Sequence, residues 1–361
     1  MMRSLVLTIF CGIIVVNSAI IDTSKDKNEF LSNSVEDAIN IDVTSVFNEV
    51  IGNNSVNYSI ETHSIETDDG YIVTMHRIIN KVSITKKKGI PVLLQHSYLS
   101  SSMDWLISGP KRALGFLLAD AGYDVWLGNF RGNKYSPGHI YYNHSNSEYW
   151  NFSFHEMGMF DIPSMIDYIL FKSSYNKLYY IGHGQAVSAF LVMASMKPAY
   201  NNKVARMFAL APIAFCDDMF SPVFRGIASL EKRDKNSLYE AIGRDEFHFS
   251  NELLYYFANY ICNSTESYQN GPLCFNIMSL LNGFKEENID QETLNLILRY
   301  TSLGGASAKQ IEHQAQLYNS GIFQQFNNGP HYNLTKVTVP VTIFFSDNDW
   351  ISSIDVCNWN V

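Results

Sequence analysis

Five short apolar runs, Pro91 to Gln95, Tyr123 to Leu127, Leu178 to Ile181, Val204 to Leu210 and Val339 to Phe345, punctuate this chain. Continuous apolar runs of this length are the mark of strands buried on both faces of a parallel sheet. Helical patterns lie between them. Leu114 to Asp120 stops before Gly122, a segment opened by Asp161 and Pro163 runs to Phe171, and Val187 to Met196 follows the third run closely. Strand, helix, strand in this order predicts an α/β fold with a mostly parallel, doubly wound sheet.

Between Cys216 and about Thr335 the rhythm changes to helical segments rich in aromatic and aliphatic residues, such as Glu252 to Tyr260 and Glu292 to Leu298, broken by polar turns. The strand pattern resumes at Val339 as though a sheet were being completed. Residues 41–215 are therefore read as the first part of the core, 216–335 as a helical cap or lid insertion rather than a separate helical domain, and 336–361 as the second part of the core. With 46% hydrophobic and 14% aromatic residues the composition supports a large core and such an insertion.

Arg3, an apolar stretch from Leu5 to Val16 and small residues at Ser18 and Ala19 follow the plan of a signal peptide over 1–19. That stretch is shorter than the roughly 20 residues needed to cross a bilayer, and no transmembrane segment is expected later. Residues 20–40 are polar, lack an apolar period and read as a flexible leader. The expected address is the secretory pathway, outside the cell or in a lysosome-like lumen. Asn-x-Ser/Thr triplets open at Asn53, Asn57, Asn143, Asn151, Asn263 and Asn333, candidates for glycosylation. Of five cysteines Cys11 leaves with the signal, and Cys216, Cys262, Cys274 and Cys357 remain. Cys262 and Cys274 enclose a turn-rich loop and are expected to pair as a disulfide, with unpaired thiols as the alternative. A net charge of −9 argues against nucleic acid and anionic membranes as main partners.

The chemistry centres on the third run. Leu178 to Ile181 leads straight into Gly182-His183-Gly184-Gln185-Ala186 and then a helix, the setting of the G-x-S-x-G nucleophile elbow. In that motif a serine sits on the strand-to-helix turn, above the positive end of the helix. Gly184 occupies its place here. Ser188, one helical turn on, is not placed to substitute.

Leu94 to Ser102, Asp124 to Asn133 (Asp-Val-Trp-Leu-Gly-Asn-Phe-Arg-Gly-Asn) and Phe152 to Gly158 (Phe-Ser-Phe-His-Glu-Met-Gly) resemble signatures of the acid lipases, over roughly Asp42 to Val356. The resemblance implies an α/β-hydrolase fold with a helical cap and hydrolysis of lipid carboxylic esters by a Ser-Asp-His triad. It also implies oxyanion amides from Tyr98 and Gln185, and Asp349 rather than Asp347 as the triad acid. In the family a glycine follows His96; here Ser97 does, and its side chain is expected to restrict the backbone and turn the Tyr98 N–H. The family's histidine follows its aspartate, whereas the last histidine of this chain is His331. The core therefore reads as truncated, with the strand near Val341 as an unprotected edge, and catalysis is expected to be lost. His96 and His183 read as structural rather than as bases. The implied partner is a lipid ester or fatty-acyl ligand, with lipid-surface contact through the cap. Aromatics such as Tyr255, Tyr256, Phe257 and Tyr260 are either part of an acyl cleft or ordinary core. No metal, nucleotide or redox cofactor motif is present, and no cofactor is expected.

Overall fold

A computed structural model describes residues 47–48, 50, 57–82, 89–215, 219–247, 305–346 and 349–352. The expected signal peptide, leader and Cys262–Cys274 pair lie outside these residues, as do Cys216, Cys357, Asn53, Asn263, Asp347 and the segments Glu252 to Tyr260 and Glu292 to Leu298.

The first strands among the described residues form an antiparallel hairpin of β1 (Tyr58–Glu66) and β2 (Tyr71–Asn80), closed at Thr67 and Gly70. β1 is polar along one side because it is a sheet edge facing solvent, so it lacks the continuous apolar run that betrays a central strand. There follow β3 (Pro91–Gln95), α1 (Leu114–Asp120), β4 (Asp124–Gly128), the two-residue β5 (Gly138–His139), α2 (Ile162–Ser173), β6 (Leu178–His183), α3 (Gln185–Met196) and β7 (Val204–Leu210). Helices α4 (Pro222–Arg233), α5 (Lys235–Ile242) and α6 (Ala308–Ser320) precede β8 (Val341–Phe344). Among the described residues no helix is long and apolar enough to cross a membrane.

The strands form one sheet in the order β1-β2-β4-β3-β6-β7-β8, with β5 beside β2. From β4 to β8 every pairing is parallel. All five parallel strands thus end on the same side of the sheet, where α/β folds place their ligands. Alternation across the strands explains their apolar runs. Val92 and Leu94 of β3, with Val125 and Leu127 of β4, pack with Phe116 of α1 on one face. Leu93 and Trp126 point to the other face, among Ile166 of α2 and Phe190 of α3.

The segment leading into α2 starts earlier than Asp161. A capping box, in which the Ser153 hydroxyl accepts the His155 N–H and the Glu156 carboxylate accepts the Ser153 N–H, begins a helical turn at Phe154–Glu156. Met157–Asp161 is then π-helical, and regular α-helix resumes ahead of Pro163, which has no N–H to offer an earlier carbonyl. Gly158 lies where α3 comes close: a Cβ there would stand 2.3 Å from the Ala189 carbonyl oxygen. The wide turn carries Asp161, fully buried, to Arg131 after β4. The guanidinium donates to Asp161 at 2.8 and 2.6 Å and to Asp69 in the hairpin turn at 2.6 and 2.9 Å, and it stacks 3.9 Å above the Tyr71 ring. One buried cation thus joins the hairpin, the β4 loop and the entry to α2.

Candidate active site

Between β6 and α3 the backbone turns within a single residue. Gly184 has φ 53° and ψ −116°, a conformation that L side chains adopt only under strain. Its N–H donates to the Leu210 carbonyl at the end of β7 (2.9 Å), and its carbonyl accepts the Val187 N–H (3.0 Å). α3 consequently starts at Gln185, two residues before the apolar periodicity suggests. The elbow geometry is complete without a hydroxyl at its apex. Ser188 is fully buried inside α3.

Of the residues predicted for the oxyanion hole, Gln185 meets the loop that carries Tyr98 through the neighbouring Ser97. The Gln185 N–H, first of α3, donates to the Ser97 hydroxyl at 3.2 Å, so the side chain in the family's glycine position touches one of the two expected donors. Among the described residues the non-glycine positions with positive φ are Leu99, Ser174, Ala211, Asn327 and Asn328, and it is Leu99 (φ 51°) that takes the left-handed turn of this loop. Ser97 does not take a positive φ, and its hydroxyl lies against the Gln185 amide.

The side chains of Tyr98 and Gln185 are both held by α6, which sequence reasoning left inside the 216–335 insertion with no link to the site. The Tyr98 hydroxyl donates to Gln314 Oε1 at 2.6 Å, and Gln314 Nε2 donates to the Ile213 carbonyl at 3.1 Å. Gln310 Nε2 donates to Gln185 Oε1 at 3.1 Å, and Gln185 Nε2 meets the Met157 sulfur at 3.0 Å. A detectable signal existed in the Ser307-x-x-Gln310 capping box that starts α6.

Asp349 follows β8, at the same end of the sheet as Gly184 and two strands away. The Ala211 N–H donates to the Phe344 carbonyl (2.8 Å), linking the ends of β7 and β8. Asp349 Oδ1 accepts the Ile351 and Ser352 N–H groups at 2.9 and 3.0 Å, and the Trp350 carbonyl receives the N–H groups of Phe220 and Ser221. Burial pushes the Asp349 carboxyl up to about 6, against those two amides, which favour its ionised form.

Burial disfavours the charged form of the histidines near this turn. His96 Nδ1 bonds the Ser97 carbonyl at 2.7 Å, which fixes the proton there, and Nε2 accepts the Phe130 N–H at 3.1 Å. Burial lowers His96 to about 4 and His183 to about 3, the second further depressed by His96. His313 of α6, also lowered to about 4 by burial, lies between the Ser153 hydroxyl and the Gln324 carbonyl. His331 is exposed. Of the predicted glycosylation sites within the described residues, Asn143, Asn151 and Asn333 are exposed and Asn57 is half-buried.

A mostly parallel sheet with a strand-elbow-helix at its centre defines an α/β-hydrolase fold. The sequence comparisons agree. Residues 90–358 match the alpha/beta hydrolase fold, and residues 52–109 match the partial alpha/beta-hydrolase lipase region. The chain is 39% identical to Lipase 3 of Drosophila melanogaster over 82% of its own length and 78% of that protein's. It is 34% identical to gastric triacylglycerol lipase of Bos taurus, over 82% of this chain and 76% of the relative. A solved candidate lipase of Sulfolobus solfataricus shares the fold, with a TM-score of 0.51, 14% identity and 81% of each chain covered. The chain belongs to the acid lipase family.

Proposed function

We propose that this chain is a lipid-handling member of the acid lipase family, built on a frame for hydrolysing lipid carboxylic esters, whose site holds acyl ligands without turning them over. Gly184 carries this reading. The elbow keeps the turn that presents a nucleophile, but the residue at its apex has no hydroxyl, so no acyl-enzyme forms. Binding and oxyanion stabilisation alone sustain only about 10³–10⁴-fold over the reaction in water. Relatives named as lipases support a lipid ester as the ancestral substrate, of triacylglycerol or steryl ester type, and residues 216–335 are read as the cap over the acyl site and its contact with lipid surfaces.

Titration of the native protein with a fluorescent fatty acid tests the reading, beside a fluorogenic fatty-acyl ester assay. Saturable binding without turnover is expected; turnover at lipase rates, or no binding, contradicts it.

The same reading places the protein in the secretory pathway, with removal of residues 1–19, glycans on some of Asn53, Asn57, Asn143, Asn263 and Asn333, and a Cys262–Cys274 disulfide. Asn143 and Asn333 are both exposed, which supports modification there. Intact mass before and after deglycosylation and reductive alkylation reads each of these directly.

A further inference from the structure

Oxyanion holes work because backbone amides stand ready for an incoming oxygen. Here the Gln185 amide already has one, the hydroxyl of Ser97 at 3.2 Å, and both residues are buried. We propose that Ser97 is a specificity-determining residue that fills the oxyanion position and excludes the charged or carbonyl head group of a ligand, so that the site selects acyl chains by their hydrocarbon alone. The proposal rests on the acyl-binding reading above and states what that binding ignores.

Three observations carry it. Gln185 is the first residue of a helix twelve residues long, so its N–H is one of the unpaired donors at the positive end, and a serine oxygen satisfies it as an N-cap side chain would. The Ser97 backbone has no positive φ, so the hydroxyl sits there without a strained main chain. The Gln185 side chain is fixed by Gln310 and Met157, which leaves its amide little freedom to turn away. A hydroxyl in the oxyanion position is not placed to attack a carbonyl held there, which separates this role from that of a relocated nucleophile.

The test compares dodecanoate with dodecanol, at mildly alkaline pH where the acid is ionised, on the native chain and on S97G and S97A. The native protein should bind both within about 3-fold. Both variants should tighten dodecanoate by about 10-fold and leave dodecanol unchanged, since a carboxylate oxygen would accept the freed amide in a charge-assisted bond. An unchanged acid-to-alcohol ratio in both variants overturns the proposal. Hydrogen exchange at the Gln185 amide gives a readout that needs no ligand: S97A should speed it by about 10-fold, and an unchanged rate also overturns it. If neither ligand binds any of the three proteins, the head-group claim falls with the binding reading, and the exchange result still decides whether Ser97 holds the amide.

Discussion

The N–H of Gly184 donates to the carbonyl of Leu210 at 2.9 Å, so the elbow is pinned to the end of the neighbouring strand by main chain alone. Nothing in that bond depends on a side chain at residue 184. The turn therefore holds without any side chain at its apex.

Placing a side chain at that turn should cost stability. At φ 53° and ψ −116° a serine stores about 1–3 kcal/mol of backbone strain that glycine does not. Gly184→Ser is expected to lower the melting temperature in a calorimetric scan and to leave ester hydrolysis at background, because the Gln185 amide is already engaged by Ser97. A variant that is more stable than the native chain, or that hydrolyses esters, would count against this account.

Arg131 forms buried ion pairs with Asp161 and Asp69. Replacing it by methionine strands the buried Asp161 carboxylate and releases the hairpin turn at Asp69, and breaking a buried pair from one side typically costs about 3–5 kcal/mol. Lysine should rescue poorly, since one ammonium cannot reproduce the forked contacts to both aspartates. Urea denaturation of both variants checks this, and midpoints close to the native value would show that the network is dispensable.

Acidity should act on Asp349 in a defined direction. Its carboxyl is raised to about 6 in the folded chain, mainly by burial, above the ordinary value that it has when unfolded. The stability it contributes is thus fully present below about 4 and is lost as pH rises through about 6. The buried histidines, lowered by burial, act in the opposite sense and cancel when the native chain is compared with Asp349→Asn. The native advantage over this variant should shrink from pH 4 to pH 6.5. A difference that is flat or grows across that range would show that the carboxyl is not held up by burial.

Much of this fold was legible before any coordinates. Continuous apolar runs marked the central strands because both faces of the sheet are covered. The β1–β2 hairpin was not marked, because an edge strand with one wet face reads as polar. Glycines and serines were visible as residue types, but not where their atoms meet. The sequence suggested that Ser97 restricts the backbone and turns the Tyr98 N–H, but it could not show one hydroxyl reaching across 88 positions to Gln185. Gln310 and Gln314 escaped notice for a related reason. A polar helix face normally points to solvent, and only tertiary packing shows that the first turns of α6 are buried against Tyr98 and Gln185.

The central claim, that this site holds no activated serine and forms no acyl-enzyme, is tested most directly by incubating the native protein with a fluorophosphonate probe for activated serines and measuring its intact mass. The account predicts an unchanged mass after prolonged exposure, under conditions in which an active serine lipase is fully labelled. A single stoichiometric adduct on any serine of this chain would contradict it.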